Sequence, residues 1–368
     1  MMDAELPYSA WLMALLSLPG MGPARLAQVL EQSDAVDAWQ KLLRGTPLKL
    51  DRVPRETVEK WRSAARAFDV KTRWSAAAAL GMSMSEIGGS GYPDRLIDDI
   101  EPPTALFHMG HPVPVGPTVA IVGTRRCTSY GRRVAFELGA ALSAAGVSIV
   151  SGLALGIDAA AHQGALSVAG ALPVAVVGSG LDVVYPRRNQ KLWERLGTEG
   201  TILSEAPPGA PPEAWRFPAR NRIIAGLADF VLVVESHAAG GSLLTVDEAQ
   251  LRDVPVGAIP GPITSAASAG SNQLLVDGAI PVVGADDIMI AIGHSPTPPK
   301  AADGTEATTS VISTPGSDLL EQMGWQPLLF EQICLLTSAD PSLVATQIEQ
   351  LVQAGFCTRS GAFVERVR

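Results

Sequence analysis

The sequence predicts an α/β protein whose core is a mostly parallel sheet. Short apolar segments alternate with helical segments from about residue 80 to residue 290, and several of these segments are apolar on both faces, as in a sheet covered by helices on each side. The chain is 47% hydrophobic and only 18% charged, which excludes general disorder. Its 368 residues suffice for about two or three domains. The alternation is typical of a doubly wound, Rossmann-like fold.

Residues 1–78 are predicted to form a small helical domain. Leu12, Leu15 and Leu26 belong to a set of apolar residues that recur at helical spacing. The segment Leu18–Arg25 lies between the first helices and resembles the hairpin of helix-hairpin-helix modules, in which glycine amides at a helix N-terminus hold a phosphate. An ordinary turn between two helices explains this segment equally well.

Residues 79–292 are predicted to form the Rossmann-like domain. Its expected strands are Thr118–Val122, Val147–Val150, Pro173–Val177, Thr201–Leu203, Phe230–Val234, Val256–Ile259 and Ile280–Val283. Its expected helices are Val134–Ala145, Gly156–Val168, Gln190–Leu196, Arg220–Gly226 and Thr245–Arg252. Ligands of such sheets bind at the carboxyl ends of the strands, so residues that directly follow a strand are the first candidates for a site.

The last part of the chain is predicted to be a linker and a winged helix. Residues 293–317 are rich in Pro, Ser, Thr and Ala, which is typical of linkers. Residues 318–368 show three helical segments followed by a short hairpin around Gly361. No Lys or Arg occurs from Ala301 to Thr358, so we expect this tail to bind protein rather than duplex DNA.

Several classes of protein are excluded. The three cysteines, Cys127, Cys334 and Cys357, have no CxxC spacing and support neither a disulfide framework nor a cysteine zinc site. The N-terminus lacks a secretory pattern, so the predicted location is the cytoplasm. Two charge-free stretches, Leu138–Ile157 and Ala159–Leu181, are interrupted by glycines and polar residues. They are interpreted as buried helix and strand, and no membrane contact is expected.

The charges are unevenly distributed. The net charge is −9, but residues 118–230 carry 11 basic and 8 acidic groups, whereas residues 231–368 carry 5 and 15. Ten of the central cations are arginines, which bind phosphate in a planar, bidentate geometry. The central part of the chain is therefore expected to bind an anionic ligand.

Three segments that follow strands or open helices carry the candidate ligand contacts. Gly123, Thr124, Arg125 and Arg126 follow the first strand, where a glycine turn lets backbone amides approach an anion, although the spacing is neither GxGxxG nor a Walker loop. The other two segments contain Arg187, Arg188, Asn189 and Lys191, and Phe217, Arg220, Asn221 and Arg222. Arginines for phosphate, an aromatic ring for base stacking and amides for base edges are the components of a groove for single-stranded nucleic acid. Salt bridges to Glu205, Glu213 and Asp229 are the alternative for some of these arginines.

Asp158 and His162 form a weaker candidate. They lie four residues apart on one helix face, as a metal or acid-base pair could. Without a third ligand nearby, the pattern favours a structural role in which Asp158 caps the helix and His162 makes a local hydrogen bond. No catalytic residue and no metal site are predicted.

A series of motifs in the central domain resembles the DNA-processing protein A family, also called DprA or Smf. The motifs are Gly123-Thr124-Arg125, Ser151-Gly152-x-Ala154-x-Gly156-Ile157-Asp158-x-x-Ala161-His162, Gly180-Leu181-Asp182-x-x-Tyr185-Pro186, Leu203-Ser204-Glu205, Phe217-Pro218-x-Arg220-Asn221-Arg222-Ile223-Ile224, Gly241-Ser242-Leu243-x-Thr245, and Ile259-Pro260-Gly261 followed by Gly270-Ser271-Asn272. They occur in this order over about 170 residues.

This resemblance implies a cytoplasmic protein of natural transformation that is not an enzyme and needs no cofactor. Such a protein binds and protects incoming single-stranded DNA, forms a homodimer and loads the recombinase RecA, with a single-stranded-DNA-binding protein as a further partner. The resemblance places the DNA contacts on the three segments described above.

A second class of function is also open. The core is similar to that of the lysine-decarboxylase-like nucleotide phosphoribohydrolases, which carry a Pro-Gly-Gly-x-Gly-Thr-x-x-Glu segment with a catalytic Glu. The corresponding stretch here, Ala239–Glu248, lacks the second Gly-Thr spacing.

Overall fold

The chain divides into two compact units, residues 1–297 and 298–368. The structure, a computed structural model, describes residues 6–48, 50–51, 53–294, 319, 323, 328–337 and 339–366. Within these residues, none of the helices combines the length and the apolar character that a membrane crossing requires.

The first unit begins with five helices, in agreement with the helical pattern of the sequence. They are α1 (Tyr8–Leu16), α2 (Pro23–Leu30), α3 (Ala35–Arg44), α4 (Arg55–Ala67) and α5 (Val70–Ala79). The carboxylates of Asp34 and Asp69 accept hydrogen bonds from the first turns of α3 and α5, which explains where these helices begin. Trp39 and Trp61 are fully buried in their core.

A nine-stranded sheet follows and confirms the predicted α/β fold class. Its order is β1-β2-β6-β5-β4-β3-β7-β8-β9, and all neighbours are parallel except β1 with β2 and β2 with β6. The strands are β1 (Ser83–Glu86), β2 (Ala105–Gly110), β3 (Thr118–Val122), β4 (Ser148–Ser151), β5 (Val174–Val176), β6 (Thr201–Ser204), β7 (Phe230–Val233), β8 (Val256–Ala258) and β9 (Ile280–Pro281).

Helices cover both faces of this sheet. They are α6 (Ser129–Ala144), α7 (Ile157–Ala165), α8 (Gln190–Glu199), α9 (Arg216–Gly226), α10 (Leu243–Gln250), α11 (Ala269–Val276) and α12 (Ala285–Ala291). The sequence pattern predicts the first five of these helices and the strands from β3 onward, but not β1, β2, α11 or α12. Helix α9 begins four residues before its predicted start, because Pro218 is tolerated in a first turn, where its missing N–H needs no partner.

The register of the central strands positions the candidate site. Val119 pairs with Ile149 of β4 on one side and with Phe230 of β7 on the other. All three side chains are fully buried, so the apolar interior sets this alignment. The carboxyl ends of β3, β4, β5 and β7 consequently meet at one edge of the sheet.

Among its described residues, the second unit has two helices with defined bounds and a small sheet. Strand β10 (Leu328–Leu329), helices α13 (Phe330–Thr337) and α14 (Pro341–Gln353), and strands β11 (Cys357–Ser360) and β12 (Phe363–Arg366) enclose a core that includes Ile333, Val344 and Ile348. The predicted hairpin is therefore in place. Of the first predicted tail helix only residues 319 and 323 are described, and apart from residues 293 and 294 the predicted linker lies outside the described residues, so the winged helix and the domain boundaries stay predictions.

Candidate nucleic-acid interface

A groove of about 660 Å³ opens at the carboxyl edge of the central strands. Its walls are the loops after β3, β4 and β7 and the first turns of α9. From β3 the chain adds β4, β5 and β6 on one side. It then returns to add β7, β8 and β9 on the other side of β3. This is the switch point at which doubly wound sheets bind ligands.

A tight turn after β3 presents two arginines to the groove. A Cβ at Gly123 would lie 2.6 Å from Cγ1 of Ile157 and 2.7 Å from the carbonyl oxygen of Glu235, so only glycine fits there. Thr124 donates its N–H to that carbonyl at 2.7 Å. The turn is thereby held against its neighbours, while the side chains of Arg125 and Arg126 are exposed and form no ion pair with any described residue.

An aromatic pair lies beside these arginines. The rings of Tyr185 and Phe217 have centroids 5.4 Å apart at an interplanar angle of 35°. The guanidinium carbon of Arg125 is 5.4 Å from the Phe217 ring, within the range of a cation–π contact. A Cβ at Gly178 would lie 3.2 Å from Cδ1 of Phe217, which shows that the ring packs directly on the backbone after β5. These rings wall an aromatic pocket of about 60 Å³.

Arg220 lies in the floor of the groove. It is 8% exposed, and its Nη1 donates to the carbonyl oxygens of Gly152, which directly follows β4, and of Val176, the last residue of β5. Burial lowers the pKa of Arg220 to about 10, although the nearby Asp158 opposes this effect. Burial also raises the pKa of Asp158, and Arg220 opposes that shift. Arg220 therefore both lines the groove and joins two strand ends, and Asn221 lines the groove beside it.

Arg222 does not reach the groove, so the expected DNA contact at this residue does not fit its geometry. Its side chain is 6% exposed, and its Nη2 is 2.7 Å from Oε1 of Glu205, with Glu101 at 3.7 Å from Nε. Burial raises the pKa of Glu205, and the Arg222 guanidinium opposes this shift. The salt-bridge alternative thus holds for Arg222, and it also holds for Arg216, which pairs with Glu213.

The segment before α8 contains exposed and buried members. Arg187, Arg188 and Lys191 are exposed, next in sequence to Tyr185 of the aromatic pocket, but they do not line the groove. Asn189 is buried, and its Nδ2 donates to the carbonyl oxygens of Leu153 at 2.9 Å and Ala154 at 3.3 Å. The amide nitrogen is used to hold the loop after β4, so it is not available to donate to a base edge.

Asp158 and His162, the candidate pair on α7, are both buried and contact the protein's own backbone. Oδ2 of Asp158 accepts the N–H groups of Gly152 at 3.2 Å and Ala154 at 3.3 Å, closing the preceding loop instead of capping the helix. His162 is completely buried, and neither ring nitrogen reaches full hydrogen-bond geometry, although the Ser151 backbone lies close enough to act on the ring as a local hydrogen-bond partner. Burial lowers the pKa of His162 to about 3, and the hydrogen-bonding effect of the Ser151 backbone, which raises this pKa, offsets only part of the shift. Across the described ranges, no three His, Cys, Asp or Glu side chains are placed to hold a metal ion.

Two parts of this site are not among the predicted site residues. Tyr185 packs on Phe217 in the aromatic pocket, and the loop after β7 contributes His237, Gly240 and Gly241 to the groove. Sequence motifs include Tyr185 and Gly241, but only the packing shows that the pocket and the groove adjoin at Arg125 and Phe217. Glu248 is the glutamate in the stretch that was compared with the phosphoribohydrolases. It does not line the groove, and its Oε2 is 2.6 Å from Nη1 of Arg252.

Comparison with known proteins identifies the family of this chain. The family model of DNA recombination-mediator protein A matches residues 83–293. The chain belongs to this family. The resemblance inferred from the motifs is thereby confirmed, and the match to the DNA recombination-mediator protein A family covers the whole sheet and the groove.

The chain is similar in sequence and structure to several Smf and DprA proteins. The protein Smf of Synechocystis is 40% identical over 210 residues, which cover 56% of this chain and 52% of that protein. The X-ray structure of DprA from Streptococcus pneumoniae matches with a TM-score of 0.62 and 31% identity over 78% of this chain and 98% of that chain. A structure of DprA from Helicobacter pylori, described for its unique single-stranded DNA binding mode, matches with a TM-score of 0.50 and 30% identity over 57% of this chain and 95% of that chain. The chain thus spans about half the length of the Synechocystis relative.

Proposed function

We propose that this protein binds single-stranded DNA in the groove at the carboxyl edge of its sheet. The observation that carries the proposal is the cluster of Arg125, Phe217 and Tyr185, which places a cation without an ion-pair partner among the described residues against two stacked rings. A guanidinium can contact a phosphate of any nucleotide, and an aromatic face can stack on any base. Such a groove binds strands with little dependence on sequence. The single-stranded DNA binding attributed to the Helicobacter pylori relative supports this proposal.

The proposed cellular role is protection of incoming single-stranded DNA during natural transformation and its transfer to RecA. The name of the family, a recombination mediator, supports a role beside a recombinase. In this proposal the protein acts in the cytoplasm, is not an enzyme and uses no cofactor, and a single-stranded-DNA-binding protein is a further partner.

We further propose that the protein acts as a homodimer. Strand β9 ends the sheet, and apolar side chains near it are exposed, with Val283 at 84% and Ile290 at 65%. Exposed apolar side chains beside a sheet edge are a natural contact surface for a second copy. Sedimentation of the full chain over a range of concentrations tests this part of the proposal.

A titration tests the central proposal. Labelled oligo-dT and a duplex of matched length are titrated with the protein at two salt concentrations, with fluorescence anisotropy as the readout. We expect tighter binding of the single strand and an affinity that falls with salt, because each phosphate contact releases counterions. Equal affinity for the two forms of DNA contradicts the proposal. In parallel, incubation with AMP is expected to release no adenine, and release would support the phosphoribohydrolase alternative.

A further inference from the structure

A second cavity lies between the N-terminal helices and the sheet. This cleft has a volume of about 480 Å³. One wall is formed by the hairpin Leu18–Gly20 together with Phe68 and Arg73, and the other by the loop Pro207–Pro211 and Arg216. Both walls belong to the first compact unit.

The cleft and the aromatic pocket both adjoin a small cavity at the start of α9. This cavity is lined by Trp215 and shares Val177, Gly178 and Arg220 with the aromatic pocket. The same cavity shares Leu16, Pro207 and Arg216 with the cleft. The aromatic pocket in turn shares Arg125, Phe217 and Arg220 with the groove. The four cavities are therefore neighbours in series, and the exposed Trp215 lies between the groove and the cleft.

Pairs of arginine and aromatic side chains recur along these cavities. Arg125 lies 5.4 Å from the Phe217 ring, Arg216 lies 4.5 Å from Trp215, and Arg73 lies 5.8 Å from Phe68. These are all the pairs of this kind within the described part of the chain, and each lines one of the neighbouring cavities. Trp215 is 45% exposed, which leaves part of its ring free for a ligand.

The acidic groups of the cleft already have partners. Oδ1 of Asp182 accepts the N–H of Gly209 at 2.7 Å. Oε2 of Glu213 accepts from Nε1 of Trp215 and from Nε of Arg216, both at 3.1 Å. Arg73, in contrast, is exposed and has no ion pair with a described residue. Arg73 is thus the cation of the cleft that is open to an anion.

We propose that single-stranded DNA continues from the groove across Trp215 into this cleft, with a base stacked on Trp215 and a phosphate on Arg73. This inference rests on the proposed function and extends its site to the N-terminal helices. A DNA strand confined to the groove needs neither Trp215 nor Arg73. With the extension, the affinity therefore depends on the length of the DNA strand. Short strands use the groove alone, and longer strands also use the cleft.

The test compares oligo-dT of roughly 5 and roughly 20 nucleotides, which bracket the site sizes of known single-strand grooves. The variants are Trp215→Ala and Arg73→Ala, with Phe136→Ala and Arg66→Ala as controls that remove an exposed ring and an exposed cation outside these cavities. Trp215→Ala is expected to weaken binding of the long strand by about five- to a hundredfold, the range for loss of one stacked base. Arg73→Ala is expected to lower the slope of log affinity against log salt by about 0.7 for the long strand. Neither variant is expected to change binding of the short strand.

The outcomes separate the extension from the underlying function. If both variants bind the long strand as the controls do, while the double variant Arg125→Ala, Arg126→Ala binds it weakly, the extension is wrong and the groove stands. If the wild type binds neither strand, both proposals fail. Thermal unfolding of each variant checks its fold, and because Arg73 is exposed on α5 its substitution decides the result even if Trp215→Ala is unstable.

Discussion

Arg125, Arg220 and Arg222 belong to the same domain, yet their surroundings give them three different roles. Arg125 is exposed over an aromatic ring, Arg220 is bound to backbone carbonyls in the groove floor, and Arg222 is buried against Glu205. A guanidinium whose donors are already used by the protein has little left to offer a phosphate. The contribution of an arginine to DNA binding is therefore expected to follow its free donors.

Replacing Arg125 and Arg126 together by Ala is expected to weaken single-strand binding for all sequences. Both side chains are exposed in the groove, so their removal is expected to lower the salt slope by about 1.4, which is 0.7 for each lost phosphate contact. Anisotropy titrations over a range of salt measure both quantities. Arg55→Ala with Arg66→Ala on α4 is the control for the same change in net charge, and an equal loss in that control would refute the assignment.

Phe217→Ala is expected to cost about 1–3 kcal/mol of binding free energy, the range for loss of one stacked base. The uncharged ring is half-buried between Tyr185 and Gly178, so a base would stack on the part of the ring that remains exposed. Phe217→Trp is expected to retain most of the affinity, whereas Phe136→Ala on α6 leaves binding unchanged. Equal binding by Phe217→Ala and wild type would show that no base stacks there.

Helix α7 shows how an element can be specified by packing without a functional role for its polar residues. Its spacing of Asp158 and His162 resembles that of a ligand pair, but both side chains are buried, and Asp158 accepts backbone N–H groups beside Arg220. Asp158 closes the preceding loop, and His162 is held neutral. Periodicity identifies the helix, but it does not tell which of its faces meets solvent.

The buried imidazole predicts a dependence of stability on pH. The folded pKa of His162, about 3, lies below the ordinary value of 6.5, so the folded state binds fewer protons than the unfolded state. Stability from this group is present above about pH 6.5 and is lost as the pH falls towards 3. Between about pH 7.5 and pH 5 the loss is expected to be about 2 kcal/mol.

Urea unfolding at these two pH values, compared between wild type and His162→Leu, measures this contribution. The variant is expected to be less sensitive to acid by that amount. If the two proteins lose the same free energy between the two pH values, His162 is not the group responsible.

Basic and acidic residues are concentrated in different parts of the chain. Residues 118–230 contain the arginines of the groove, whereas residues 231–368 carry 15 acidic and 5 basic groups. In the proposed function, an acidic remainder confines a phosphate strand to the central surface, because like charges repel it elsewhere. The described residues that line the groove and the cleft all belong to the first unit.

A fragment of residues 1–292 is accordingly expected to keep the single-strand affinity of the full chain within about twofold. It contains every described residue of the groove and the cleft, and α12 ends within it. The same anisotropy titration compares the two proteins, and circular dichroism checks the fold of the fragment. A folded fragment that does not bind would place part of the site in the second unit.

The sequence by itself determined the strands from β3 to β9, the helices α6 to α10 between them, the turn of Gly123 to Arg126 and the family. These features depend on local periodicity, on glycine at a close approach and on motif order, all of which are readable along the chain. The tertiary structure alone decided which residues share a surface. Arg220 and Arg222 are two positions apart, or roughly 200° around a helix of about 3.6 residues per turn, so only the packing of α9 shows which of them faces the groove. The pairing of β1 with β2, the stack of Tyr185 on Phe217 and the cleft beside Trp215 likewise join segments distant in sequence. Such contacts depend on how buried surfaces fit together, which no local pattern encodes.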